Sequence, residues 1–166
     1  MTDGYRDPTT VTIATFLRGI GLNVRTGTVA GPRPLPGIDI DRGVLIVDEE
    51  HLLYPGDLLH EAGHLAVATP ERRATFDHNV GDDAAEEMMA ISWSYAAALH
   101  LQIDPAIVFH EHGYRGGSAS LLENFRDEKY LALPMLQWVG LAYDAKRAAQ
   151  EGALPFPHML RWLRKS

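Results

Sequence analysis

The chain has 166 residues, close to the roughly 150 residues of an average domain, so we predict a single domain over residues 1–166. Hydrophobic residues make up 46% of the chain and charged residues 22%, which excludes a disordered or low-complexity protein. The formal net charge of -7 disfavours nucleic acid and anionic membrane surfaces as partners. Because there is no cysteine, any metal ligands must be His, Asp or Glu.

The amino terminus and the distribution of apolar residues bear on the compartment. Residues 1–10 lack the basic and apolar regions of an export signal. No stretch approaches the roughly 18 consecutive apolar residues of a membrane span. We therefore predict a cytoplasmic protein with no membrane partner, and the sequence leaves its oligomeric state open.

The first part of the chain predicts one helix followed by a small sheet. An Asp-Pro pair at residues 7–8 is typical of a helix N-terminus and precedes an apolar stripe. Residues 23–30 and 43–48 have the β-branched and apolar composition of strands. After them, Asp57 is predicted to cap a helix that continues until Pro70 ends it.

The remainder of the chain predicts mainly helices. A long helix is expected over about residues 83–101, with an aspartate at its N-cap. Residues 134–150 are predicted to form a further amphipathic helix with Trp138 in the core, and residues 157–165 a short terminal one. The predicted fold class is α+β, with a small N-terminal sheet packed against a mainly helical remainder.

Residues 60–64, inside the predicted helix that follows the strands, read His-Glu-Ala-Gly-His. Residues four apart share one face of a helix, so both imidazoles can reach one ion while Glu61 lies beside it. The apolar residues around the motif favour burial over an ordinary solvent-facing helix. The pattern predicts a zinc site with His60 and His64 as ligands and Glu61 as the catalytic base.

A catalytic zinc site needs three protein ligands and an open position for water, so a third donor is required. Val67 and Pro70 stand where the extended three-histidine motif would need Gly and His. A carboxylate on the next helix remains, from Glu86 or Glu87. Small residues continue the face of Glu87 and let two helices approach closely, so we favour Glu87 and expect Glu86 to occupy the exposed first turn.

These residues resemble the gluzincin type of zincin metallopeptidase, which has HExxH and a glutamate on the following helix. Residues 87–94, EMMAISWS, are similar to the ExxAxxFA pattern of ImmA/IrrE-type metallopeptidases, with Trp-Ser in place of Phe-Ala. The similarity spans roughly residues 10–100. It implies a zincin-like fold, one zinc ion per chain and a peptide or protein substrate.

The expected function is hydrolysis of a peptide bond, of narrow specificity, with Glu61 taking a proton from the water. His112 and Tyr114 are the candidates for stabilising the oxyanion. If strand 43–48 lay at the sheet edge, it could also pair with an extended substrate. Two other functions need the same ligands and stay open: a zinc-stabilised regulatory or binding protein without turnover, and a metal-dependent amidohydrolase acting on a small amide.

Overall fold

A three-stranded sheet lies early in the chain in the computed structural model, which describes residues 4–166. Strand β1 (Val24–Thr26) pairs in parallel with β3 (Val44–Val47), and β2 (Ile38–Asp41) pairs antiparallel with the other edge of β3. The order is therefore β1-β3-β2. Because both edges of β3 are occupied, the suggestion that this strand is free to pair with a substrate is wrong.

Helices are the main regular structure in the rest of the chain, so the predicted α+β class is confirmed. The helices are α1 (Pro8–Gly19), α2 (Asp57–Val67), α3 (Pro70–Arg73), α4 (Ala84–His100), α5 (Pro105–Val108), α6 (Ser118–Arg126), α7 (Leu133–Trp138) and α8 (Ala145–Glu151), with a 3₁₀ turn at Tyr114–Gly116. Asp7 and Asp83 cap α1 and α4 by accepting backbone N–H bonds, which satisfies donors that have no partner within the helix. No helix within residues 4–166 is long and apolar enough to cross a membrane.

Helices α2 and α4 form the centre of the core. The apolar residues of α2 within and beside the His-Glu-Ala-Gly-His motif are fully buried, among them Leu59, Ala62 and Leu65. A Cβ added at Gly63 would lie 2.8 Å from the carbonyl oxygen of Ala90 on α4, closer than side chains come in practice. Glycine at this position therefore allows the two helices to approach at the level of the motif.

The predicted start of α2 is wrong in one detail. Its N-cap is Gly56, which supplies no side-chain hydrogen bond, and Asp57 is instead the first residue of the helix. A Cβ at Gly56 would lie 2.1 Å from the carbonyl oxygen of Ile107, so α5 packs directly on this end of α2. The Asp57 carboxylate does not cap the helix and instead pairs with His110.

Two predictions for the carboxyl-terminal part are wrong. The helix predicted over residues 134–150 is two helices, because Gly140 takes a positive φ of 79° between them and Asp144 caps α8. Trp138, predicted to lie in the core, is 89% exposed. Residues 157–165 form no helix; the backbone N–H of Leu160 is bonded to the carbonyl of residue 141, and a β-bridge forms beside it.

Candidate metal centre

The structure brings the three predicted ligands together. His60 and His64 lie one turn apart on α2, and Glu87 projects from the first turn of α4. One glutamate oxygen lies 2.7 Å from Nε2 of His64, and the other lies 3.5 Å from Nε2 of His60. Donor atoms from all three residues lie within 4.8 Å of one another, so the group could hold a metal ion. Ligands at about 2.1 Å in a tetrahedral site are about 3.4 Å apart, which these positions approach.

The two imidazoles have opposite electrostatic surroundings. Burial, together with the charge of His64, lowers the pKa of His60 to about 4, so its ring is neutral and ready to donate to a metal. Burial also opposes a charge on His64, but the carboxylates of Glu86 and Glu87 outweigh it and raise that pKa to about 9. A metal ion at this site would therefore replace a proton on His64.

Glu86 occupies a different place from the one predicted. Its side chain is only 8% exposed, with one oxygen 3.5 Å from Nδ1 of His64 and the other accepting a 2.8 Å bond from Nε of Arg72. The interpretation of Glu86 as an exposed first-turn acid is wrong, because its carboxylate is buried between His64 of α2 and Arg72 of α3. Glu87 faces Nε2 of His64 and Glu86 faces Nδ1, so both acids contact the same ring. No signal in the sequence identified Arg72.

Glu61 lies beside the three-donor group and is 7% exposed. Burial is the main cause that raises its pKa to about 7, and the nearby charges of Glu87 and Asp57 act in the same direction. A carboxyl group with a pKa near neutrality can both accept and donate a proton at neutral pH. The position and the acidity of Glu61 therefore suit a general base and acid.

Two cavities meet at this group. The first has a volume of about 500 Å³ and is lined by Glu61 and the three donor residues, together with Leu35 and Val80. The second, of about 720 Å³, extends along α4 and α6. They share Gly81, Asp82 and Glu87, which lie at the junction between them. A molecule extended through both cavities would pass the donor group.

Of the two candidates for an oxyanion donor, the structure places only Tyr114 at the site. Its ring lies edge-on to His60 at a centroid distance of 5.1 Å, and its hydroxyl is buried. Burial raises the pKa of Tyr114 well above its usual value, so the hydroxyl keeps its proton and can donate a hydrogen bond. His112 is 61% exposed and pairs with Glu111, away from the donor group.

A buried pair that the sequence analysis missed anchors the segment that carries Tyr114. Nε2 of His110 lies 2.7 Å from the carboxylate of Asp57 on the first turn of α2. Tyr54 stacks on the His110 ring at 4.0 Å, and the hydroxyl of Ser118 donates to the His110 carbonyl. Asp57 precedes His60 by three residues, and that helical spacing was the one available signal that its carboxylate shares the face of the motif.

No family model, curated protein or solved structure matches this chain. The functional assignment therefore depends on the geometry and the chemistry of the site itself.

Proposed function

We propose that this protein is a zinc-dependent metallopeptidase of narrow specificity, built as a zincin of the gluzincin type. One observation carries the proposal: His60, His64 and Glu87 converge beside a buried Glu61 on the wall of a cavity. Two imidazoles and one carboxylate are a donor set of catalytic zinc sites, which keep a fourth position open. The resemblance of residues 60–64 and 87–94 to ImmA/IrrE-type metallopeptidases supports the same assignment.

The surrounding residues supply the remaining parts of a hydrolytic mechanism. When bound, zinc supplies Lewis acidity, which brings the pKa of a coordinated water towards about 7 and polarises a carbonyl. Glu61 accepts the proton of the attacking water and then donates it to the leaving amine, which its pKa of about 7 permits. The Tyr114 hydroxyl donates a hydrogen bond to the oxyanion that develops on the scissile carbonyl.

The test compares wild type with Glu61→Gln and with Glu111→Gln, a control at an acid that is 85% exposed. Each purified protein is assayed for bound zinc and for cleavage of a diverse peptide mixture, read by mass spectrometry. We expect about one zinc per chain in all three proteins. Loss of general-base catalysis should slow cleavage about 10²- to 10⁴-fold in Glu61→Gln only.

Two results would contradict the proposal. Zinc that stays at full occupancy after His60→Ala and His64→Ala are combined would exclude these residues as ligands. Zinc-loaded wild type that leaves every peptide intact would favour the regulatory function, in which the same site stabilises a fold or a complex without turnover.

A further inference from the structure

The second cavity differs in character from the first. Its lining includes the apolar side chains of Ile91 on α4 and Leu121 on α6. The side chains of Ser120, Asn124 and Arg115 add polar groups to its wall. At the junction it reaches Glu87, so a group bound here lies next to the proposed metal ion. The cavity can therefore accept a part of the substrate that combines an apolar group with a polar one.

Arg115 is the only lysine or arginine among the residues that line either cavity. Its side chain forms no ion pair with an acidic residue anywhere in residues 4–166, whereas Arg72 of α3 is paired with Glu86. The guanidinium group of this exposed residue thus lines the cavity with no protein carboxylate paired to it. An arginine fork matches a carboxylate in a bidentate arrangement, with two parallel hydrogen bonds.

The backbone that carries Arg115 is held in place. Tyr114, Arg115 and Gly116 all have positive φ, at 55°, 53° and 80°, which costs energy for the two residues that have a Cβ. Contacts on either side offset this cost: His110 is paired with Asp57, and Ser118 donates to the His110 carbonyl. Arg115 is consequently presented from a fixed turn next to the donor group.

Among the acids that line the cavity, Glu87 lies within electrostatic reach of Arg115 but forms no ion pair with it. The Asp83 carboxylate is directed to the backbone N–H of Glu86, 2.8 Å away, where it caps α4. Asp82 lies at the junction with the first cavity, on the side of Glu87. The cavity therefore has an acidic junction and a positively charged wall at Arg115.

We propose that the second cavity binds a carboxylate of the substrate through Arg115, with the adjoining apolar group of the substrate against Ile91 and Leu121. The proposal rests on the proposed function, because it names the class of peptide that the metal centre cleaves. The carboxylate belongs either to the C-terminus of a peptide or to an acidic side chain. Both sources present the same planar group to the guanidinium, and the test separates them.

The test uses small thiols that bind zinc through sulfur and place one residue beside it. Mercaptoacetyl-leucine carries a C-terminal carboxylate, mercaptoacetyl-leucinamide is its neutral counterpart, and mercaptoacetyl-glutamic acid α-amide carries only a side-chain carboxylate. Calorimetry measures the affinity of each for the zinc-loaded protein. Wild type should bind at least one of the two acidic thiols about tenfold or more tightly than mercaptoacetyl-leucinamide. The acidic thiol that it prefers shows whether the bound carboxylate is a C-terminus or a side chain.

Arg115→Gln should remove this preference for an acidic thiol and leave the affinity for mercaptoacetyl-leucinamide unchanged. Arg126→Gln, at an exposed arginine of α6 that lines neither cavity, is the matched control and should keep the preference. Equal affinity of wild type for all three thiols, or a preference that survives Arg115→Gln, would overturn the proposal. Failure of the metal centre is distinguishable, because zinc is then not retained and none of the thiols binds.

Discussion

The buried carboxylate of Glu86 should matter for metal binding although Glu86 is not one of the proposed ligands. In Glu86→Ala, Nδ1 of His64 loses the acid that lies 3.5 Å away, and Arg72 loses its 2.8 Å partner. Carboxylates that face the second nitrogen of a metal-binding histidine hold its ring and tautomer, and their loss typically weakens metal binding 10- to 100-fold. We expect Glu86→Ala to weaken zinc binding within this range.

Variants of the neighbouring residues should form a graded series. Glu87→Ala removes a proposed ligand and should weaken zinc binding more than Glu86→Ala does. Arg72→Ala should have a smaller effect, of a few-fold, because the Arg72 side chain is 45% exposed and an exposed ion pair contributes little. Arg147→Ala is the control, since it breaks a remote Arg-Glu pair of 2.7 Å whose arginine is 51% exposed. It should leave the affinity unchanged.

Competition with a chromophoric chelator measures these zinc affinities, and urea unfolding of each variant separates a change in affinity from a loss of folding. An affinity of Glu86→Ala within twofold of wild type would refute the role given to Glu86. A loss larger than that of Glu87→Ala would transfer the ligand role from Glu87 to Glu86.

Three further predictions concern stability. Gly63→Ala should lower the free energy of unfolding by about 1–3 kcal/mol and weaken zinc binding, because the new Cβ would press on the α4 backbone. Gly19→Ala is the control and should not destabilise the protein, because a Cβ there would have no atom within 4 Å. Urea unfolding compares the two variants. In protein kept metal-free with a chelator, the protonated His64 ring, with its pKa of about 9, should stabilise the fold by roughly 3 kcal/mol. This stabilisation is complete below about pH 6.5 and is lost as the pH rises through 9. A free energy of unfolding that does not change over this pH range would contradict the prediction. Trp93→Phe should cost about 1–3 kcal/mol in thermal unfolding, because it removes a buried ring edge and the 2.9 Å bond to the carbonyl of Trp162.

Local features of the sequence were sufficient to predict the helix of the motif, the cap of α4 and strand β3. The helical spacing of His60 and His64 puts both imidazoles on one face whatever the rest of the chain does, since it depends only on the repeat of the helix. Capping by Asp83 is similarly local, because its carboxylate bonds a backbone N–H three residues later. The apolar run of β3 also identified a strand, although its neighbours, and hence its central position, could not be read from it.

The tertiary structure decided how distant segments complete the site. The helix faces of Glu86 and Glu87 favoured Glu87 as a ligand, but only the approach of α4 to α2, which Gly63 permits, directs the two acids to the two nitrogens of His64. The pairing of Asp57 with His110 spans 53 residues, so no local pattern contains it. Interactions between neighbouring residues along the chain are encoded by spacing and propensity, whereas those between distant residues depend on the packing of the whole fold.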